Sequence, residues 1–454
     1  MSQRITMIGA GLVGSLMSIY LGHRGYTVDV FDKLPDIRRT SIPAGRSINL
    51  ALANRGIRAL QQVGVMDKVE KLLIPMKGRM LHDAAGQLTL QPYGQKAEEV
   101  IYSVSRAGLV SLLRDEAEAT GNVTFHFESK LIDIDPNNKS ITLKNENTDH
   151  EFSHDYDVLL GTDGAGSKTR RTLQQLGLKG FSSELLEHSY KELTIPAGKT
   201  SAFQIEKEAL HIWPRGGYML IALPNLDGSF TVTLFMPNKG PVSFEAFKNK
   251  ADVEQFFQEQ FSDVLELIPN LADDYFTNPT GILGTVRAEN WAYKDILLFG
   301  DASHAIVPFH GQGMNCGFED CSELYRLLNK YSDDWAKVLS EFTATRRDNA
   351  DAIADMALEN YVEMRDSVRD PQFQLKKAIA FKLEQHYPTQ FIPRYSMVMF
   401  HHIPYAEAYQ RGKIQADILT KLAADNETID DIDWKYAGQL VQECLKPISK
   451  EFLH

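Results

Sequence analysis

Cysteine is scarce in this chain. Cys316, Cys321 and Cys444 are the full set among 454 residues, with no metal-ligand spacing. An odd, sparse set excludes a disulfide framework and suits a reducing compartment, where each thiol is expected to be small and buried. Positive charge is also short: 48 Lys and Arg face 60 Asp and Glu, for a net charge of −12. That excludes the basic footprint of a nucleic-acid binder. Long apolar runs are missing. The longest near the C-terminus, residues 391–400, is broken by Pro393 and Arg394 and is far short of the roughly 20 residues of a membrane span. Met1-Ser2-Gln3-Arg4 runs straight into a strand, with no signal-peptide pattern. His304, His401 and His402 lack a partner set for zinc, so no metal is expected. No Gly-x-Ser-x-Gly elbow or Cys/His pairing points to covalent catalysis. These absences lead to the expectation of a soluble, cytoplasmic protein without a membrane anchor.

What remains is globular: 43% hydrophobic and 24% charged residues. The length calls for two or three structural units. Ile5-Thr6-Met7-Ile8 reads as a buried strand, and Leu12, Val13, Leu16, Ile19 and Tyr20 recur at helical spacing. Gly25 ends that helix before a second strand, Thr27 to Asp32. This βαβ unit implies a parallel sheet. In the middle of the chain, Leu210 to Trp213, Tyr218 to Leu223 and Ser229 to Met236 are β-prone runs separated by glycine-rich turns, an antiparallel meander. From Gly317 onward the pattern is mostly helical.

Three motifs carry chemistry. Gly9-Ala10-Gly11-Leu12-Val13-Gly14 fits G-x-G-x-x-G between strand and helix, with Asp32 ending the second strand. The first glycine permits the tight turn, the second lets a pyrophosphate approach, and the third allows helix–sheet packing; the acid suits ribose hydroxyls. The pattern does not separate NAD(P) from FAD. The second motif closes the strand Asp157-Val158-Leu159-Leu160 with Gly161-Thr162-Asp163-Gly164, where a hairpin turn is an equal reading. The third follows the strand Asp295-Ile296-Leu297-Leu298-Phe299. It joins Gly300-Asp301 to Pro308 and the run Gly311-Gln312-Gly313-Met314-Asn315, which opens a helix. Unpaired N–H groups and a positive dipole end there favour an anion.

In this order and spacing, the three motifs resemble the aromatic-ring hydroxylase group of flavoprotein monooxygenases. Longer strings narrow the likeness: Gly45 to Leu52, Arg79 to His82, Pro92-Tyr93-Gly94, Leu210 to Arg215, Thr233 to Pro237, Gly311 to Asn315 and Asn360 to Arg365 are similar to the kynurenine 3-monooxygenase family, in its soluble bacterial form. The resemblance implies an α/β fold. A doubly wound, glutathione-reductase-like FAD domain (1–70, 99–180, 286–348) would carry an inserted antiparallel β substrate domain (71–98, 181–285) and a helical C-terminal region (349–454). It also implies hydroxylation of L-kynurenine with O2, through a flavin C4a-hydroperoxide, with NADPH as transient hydride donor. Expected cofactor contacts are Gly9, Gly11, Leu12, Val13, Gly14, Asp32, Arg46, Arg106, Asp163, Asp301, Gly311, Gln312, Gly313, Met314 and Asn315. No side chain is expected to be catalytic in itself, because the flavin bears the chemistry. A homodimer is left open. Two other readings stay in view: a flavin hydroxylase for a phenolic acid or quinone precursor, and a flavin-binding interaction protein without turnover.

Arg79 and Tyr93 are equidistant from Gly86. If the segments pair about that glycine, guanidinium and phenol face each other as a carboxylate receptor; a solvated Arg stacked on Tyr is the plainer reading. Asn360 falls on an apolar helical face with Ile353, Met356, Ala357 and Met364. There it either caps a backbone group or addresses a ligand. Tyr395 stands in an aromatic-rich segment that either packs a core or closes a pocket. The resemblance assigns Arg79, Tyr93, Asn360 and Tyr395 to the amino-acid end of the substrate. Ile212, Phe235, Pro308 and Met364 are expected as apolar walls, and His310 borders the site.

Overall fold

The computed structural model describes residues 3–39, 49–367, 370–424 and 426–453, apart from the side chains of residues 201, 366 and 367. Strand Arg4–Ile8 lies inside a six-stranded sheet, between Val158–Gly161 and Thr27–Phe31 and parallel to both. Ile296–Leu298 continues the parallel order beyond Val158–Gly161. Side chains alternate between the two faces, as strand geometry requires. Ile5, Met7, Val28 and Val30 pack with residues of helices Leu12–His23, Arg106–Ala119 and Gly313–Lys330. Ile8, Phe31, Leu159 and Leu298 meet the opposite layer. That layer is a three-stranded meander of Ser129–Asp135, Ser140–Asn145 and Glu151–Asp155, plus helix Lys168–Gln175.

A second sheet has seven strands. The expected meander forms three of them, Ala209–Pro214, Met219–Pro224 and Phe230–Pro237, paired antiparallel in sequence order. Phe181–Ile195 and Thr280–Ala288 extend one edge. The hairpin of Gly78–His82 and Leu88–Pro92 extends the other. The sheet is not wholly antiparallel, since Gly78–His82 runs parallel to Ala209–Pro214. The hairpin comes from a remote part of the chain, so no tight turn forces the antiparallel direction.

The last third is helical: Trp335–Val362, Pro371–His386, Arg394–Met399, Tyr405–Ala423 and Trp434–Cys444. Among the described residues, no helix is long and apolar enough to cross a membrane. Cys316 and Cys321 are buried as expected, but Cys444 is exposed, because it closes its helix at the surface.

One buried ionic network joins these layers. Arg346 donates to Asp320 at 2.7 Å and to Glu319 at 2.6 Å, while His304 meets the other Asp320 oxygen at 2.6 Å. Arg55 pairs with Glu319, donates to the Ile403 and Val398 carbonyls, and lies 3.9 Å from the Tyr405 ring centroid. Tyr405 then donates to Gln312 at 2.7 Å. Burial works to raise the Asp320 pKa, but His304 and Arg346 outweigh it and hold the carboxylate charged. His304, Cys316 and Asp320 also bring potential ligand atoms within 4.8 Å of one another. Arg346 lies on Asp320 and 3.6 Å from the Cys316 sulfur, so this cluster already has its cation. Asp320→Ala leaves Arg346 and His304 without their counter-charge. Urea unfolding is expected to show a loss of about 3–5 kcal/mol, with the midpoint lowered and the slope unchanged.

Candidate active site

The glycine-rich turn after the first strand is pinned from several sides. Gly9 has φ +109°, and a Cβ there would lie 2.4 Å from the Thr162 carbonyl. A Cβ on Gly14 would lie 2.1 Å from the Gly9 carbonyl, so the helix can approach the strand only without one. Gly11 has open space where its Cβ would point. Ala10 donates to Asp32 at 2.8 Å, and its carbonyl accepts from Arg114 at 2.7 Å. Thr162, from the second motif, donates to the Gly9 carbonyl at 2.7 Å. Val13 fills the space beside Gly300 and Gly317, and Leu12 is buried, so both serve packing between the first and third motifs.

The third motif places Asp301 at the start of the short helix Asp301–His304, directly after the strand. Burial pushes the Asp301 pKa up, with His304 and Arg106 pulling it down. Arg106 stands exposed at the first position of its helix, within electrostatic reach of Asp301. Gly311 takes φ +65°, turning the chain into the Gly313–Lys330 helix. The first N–H groups of that helix have no intrahelical acceptor.

Three expected contacts have side chains already taken. Asp163 accepts from Ser167 at 2.5 Å and from the Thr169 N–H at 2.9 Å, holding its own turn. Gln312 donates to Met399 and accepts from Tyr405. Asn315 accepts from the Ala53 N–H at 2.9 Å and donates to the Ala51 and Gly311 carbonyls at 2.8 Å. Their offer to a ligand is backbone, as is that of Met314. Arg46 lies outside the described residues.

The substrate-side residues converge, though not by the expected register. Arg79 pairs with Gln91, not Tyr93. The loop is a turn closed by Gly86 N–H on the Asp83 carbonyl, with Gly86 left-handed at φ +80°. Gly86 is thus the bulge after the turn, and the hairpin centres one residue earlier, on Ala85. Tyr93 sits two residues beyond Gln91, on the same face and diagonal to Arg79. The Arg79 guanidinium carbon is 5.9 Å from the Tyr93 ring centroid and 5.0 Å from that of Tyr395. Tyr93 and Tyr395 stack at 5.3 Å, and His310 stacks on the other side of Tyr395 at 5.4 Å. Arg79 is buried and pairs with Glu363 at 3.4 Å. Burial opposes its charge, but Tyr395, Glu363 and Tyr93 outweigh it. The Tyr93 hydroxyl is buried close to Tyr395 and Arg79, yet forms a well-aligned hydrogen bond with neither.

Beside this polar end lies an apolar cluster that includes Ile212, Phe235, Phe309, Tyr361 and Met364. Phe235 meets Phe309 edge-on at 4.9 Å, and Phe309 stacks on Tyr361 at 3.9 Å. Pro308 is exposed at the turn rather than buried in the wall. Asn360 is a cap: its amide donates to the Phe309 carbonyl at 2.5 Å and to Met364 sulfur at 3.3 Å. Burial, then Arg394 and Arg79, press the His310 pKa down to about 3, so the ring is neutral.

The chain from residue 3 to 357 matches the family model described as FAD binding domain. The kynurenine 3-monooxygenase of Myxococcus xanthus is 48% identical over 98% of this chain and 96% of its own. That of Stenotrophomonas maltophilia is 45% identical over 95% of each. The chain belongs to the kynurenine 3-monooxygenase family. Its fold is shared with 2-methyl-3-hydroxypyridine-5-carboxylic acid oxygenase, at TM-score 0.66 and 20% identity over 82% of this chain and 94% of that one. Membership supplies a reason for the open space at Gly11, the helix start at Gly313 and an Asp301 carboxylate with no hydrogen bond among the described residues: together they fit FAD, a dinucleotide with a polyhydroxyl chain.

Sequence reasoning missed Glu363, Lys377 and Arg114. Glu363 stands three residues after Asn360, a helical neighbour spacing that could have flagged it. Lys377 comes from helix Pro371–His386. Burial and then Arg79 press its pKa down to about 8. Its ammonium is therefore present below pH 8 and lost above. Binding of an anionic amino acid to this family member is expected to weaken two- to fivefold as pH rises past about 8, about 0.5–1 kcal/mol for a partly exposed charge. Lys377→Met should flatten that dependence, as read by ligand titration of flavin fluorescence.

Proposed function

We propose that this chain hydroxylates L-kynurenine to 3-hydroxy-L-kynurenine, using bound FAD, NADPH and O2. The observation that carries the reading is the Arg79 receptor: a buried guanidinium beside two mutually stacked phenols, next to an apolar cluster. A flat aromatic amino acid matches both ends. Its carboxylate takes the Arg79 fork and the Tyr93 and Tyr395 hydroxyls, while its ring lies against Ile212, Phe235 and Met364. His310 and Pro308 border that ring. Asn360 positions the Phe309 turn rather than the ligand.

Gly9, Gly11 and Gly14 with the N–H groups of Gly313, Met314 and Asn315 would hold the pyrophosphate and flavin ends of FAD. Asp32 and Asp301 would accept from its hydroxyls, and Arg106 would donate to its phosphates. Bound FAD, once reduced by NADPH, supplies the activation of O2. The ring amine of kynurenine activates its own neighbouring carbon, so a strong base is unnecessary, in keeping with neutral His310. The apolar walls keep water from the reacting centre and hold ring and oxygen donor in contact. Sparse cysteine supports action in a reducing compartment, the cytoplasm.

The direct assay mixes protein, NADPH and L-kynurenine in air and identifies 3-hydroxykynurenine by mass spectrometry. Arg79→Ala leaves the carboxylate without its counter-charge and is expected to weaken binding by about 3–5 kcal/mol, several hundredfold or more. Arg79→Lys should rescue part, lacking the fork, and Tyr93→Phe should cost about 0.5–3 kcal/mol. FAD content should be normal in all three. Decarboxylated kynurenine should bind wild type poorly and be nearly indifferent to Arg79→Ala. Unchanged kynurenine binding by Arg79→Ala, or loss of FAD instead, would contradict the receptor.

A further inference from the structure

Hydroxylation as proposed above draws one proton from solvent in each turnover. NADPH, H+, O2 and the arene ArH become NADP+, ArOH and H2O. Of the three product hydrogens, one is the former ring hydrogen, one arrives as hydride, and one comes from solvent. Lys377 titrates near the carboxylate end, away from the apolar cluster, and the other groups described so far are poorly suited to carry it. His310 is neutral, its pKa pressed to about 3 by burial first. Tyr395 is pushed up to about 12 by burial, and Tyr93 well above its usual value. Asp320 and His304 are locked in their ion pairs.

Glu192 is different. It lies in strand Phe181–Ile195, opposite Thr233 of the neighbouring strand. Residues of that strand alternate in direction. Lys191 points to one face, where it donates to the Asn278 carbonyl at 2.6 Å and lies over Tyr275. Tyr190 and Glu192 share the other face, where Tyr190 meets Phe235 at 6.1 Å and Phe235 meets Phe309. This is the face that packs against the apolar cluster of Ile212, Phe235 and Met364. Glu192 is 6% exposed, and its carboxylate has no hydrogen bond or ion pair among the described residues. Arg106 lies within electrostatic reach of Glu192, Tyr190 and Asp301. Glu192 on the seven-stranded sheet and Asp301 on the short helix Asp301–His304 therefore share Arg106 as an electrostatic neighbour.

We propose that Glu192 is the carboxyl that holds the solvent-derived proton beside the cofactor, with Arg106 balancing the charge left when it gives that proton up. In the step, the carboxyl O–H bond breaks and a new O–H bond forms on the oxygen atom that departs as water. Solvent then reprotonates the carboxylate. Burial, opposed by Arg106, pushes the Glu192 pKa up to about 7, which suits a group that must both give and regain a proton near neutrality.

The inference rests on the hydroxylase reading, and Glu192→Gln, a neutral isostere, separates the two. An acid whose pKa rises from 4.5 to about 7 on folding stabilises the fold less as pH climbs through that window. The Tm of the Gln variant minus that of wild type is therefore expected to grow between pH 5 and pH 8, with no turnover needed. In turnover, wild-type kcat should fall above pH 7. The Gln variant should be slower by about 10²-fold with a flat profile and a larger share of NADPH lost as hydrogen peroxide. Glu192→Asp should restore a titrating profile, and it serves alone if the Gln variant does not fold. A wild type that makes no 3-hydroxykynurenine fails the functional reading, while the Tm comparison still reports whether Glu192 titrates. A productive wild type matched by Glu192→Gln in rate, pH profile and Tm difference fails this inference alone.

Discussion

The buried pairing of Asp320 with Arg346 and His304 is the constraint on which the site depends. Each of these charges would cost several kcal/mol to bury alone, so the three elements that carry them must meet in one geometry. His304 belongs to the same short helix as Asp301. Arg346 continues through Glu319 to Arg55, and Arg55 grips the carbonyls of residues 398 and 403. The segment so gripped begins with helix Arg394–Met399, which bears Tyr395. Tyr405 closes the circuit on Gln312, in the turn that opens the Gly313–Lys330 helix. One desolvated network thereby ties the proposed cofactor seat to the proposed receptor end of the substrate site.

The site divides its work by polarity. Charge is concentrated at one end, where Arg79, Glu363 and Lys377 cluster around two phenols. The other end is aromatic and aliphatic, lined from the sheet by Ile212 and Phe235 and from the turn by Phe309. An amino acid with an aromatic side chain has the same polarity along its length. In the proposed reading such a match orients the ring from its ends, so specificity and chemistry are supplied by different atoms.

Much of this was legible in the chain. The βαβ unit, the strand before Gly300 and the central meander follow from periodicity that local sterics enforce. The convergence of Arg79, Tyr93 and Tyr395 was expected from family resemblance. Their register was not, because a bulge glycine shifts the pairing by one residue without changing the composition of the hairpin. The full use of Asp163, Gln312 and Asn315 by protein partners was hidden as well. Gln312 and Asn315 bond residues far away in the chain, and Asp163 caps a helix that could equally have been a hairpin turn. Glu192 was passed over because Tyr-Lys-Glu-Leu alternates polar residues on both faces, so no pattern marks which of them is buried.

The central claim is that Arg79 receives the substrate carboxylate while the ring enters the apolar cluster toward the flavin. A crystal structure of the FAD-loaded protein with L-kynurenine tests it most directly. The account predicts the carboxylate in hydrogen-bond contact with the Arg79 guanidinium, Glu363 displaced from that contact, and the ring against Ile212, Phe235 and Met364. A carboxylate bound away from Arg79, or a ring directed out toward solvent, would contradict it.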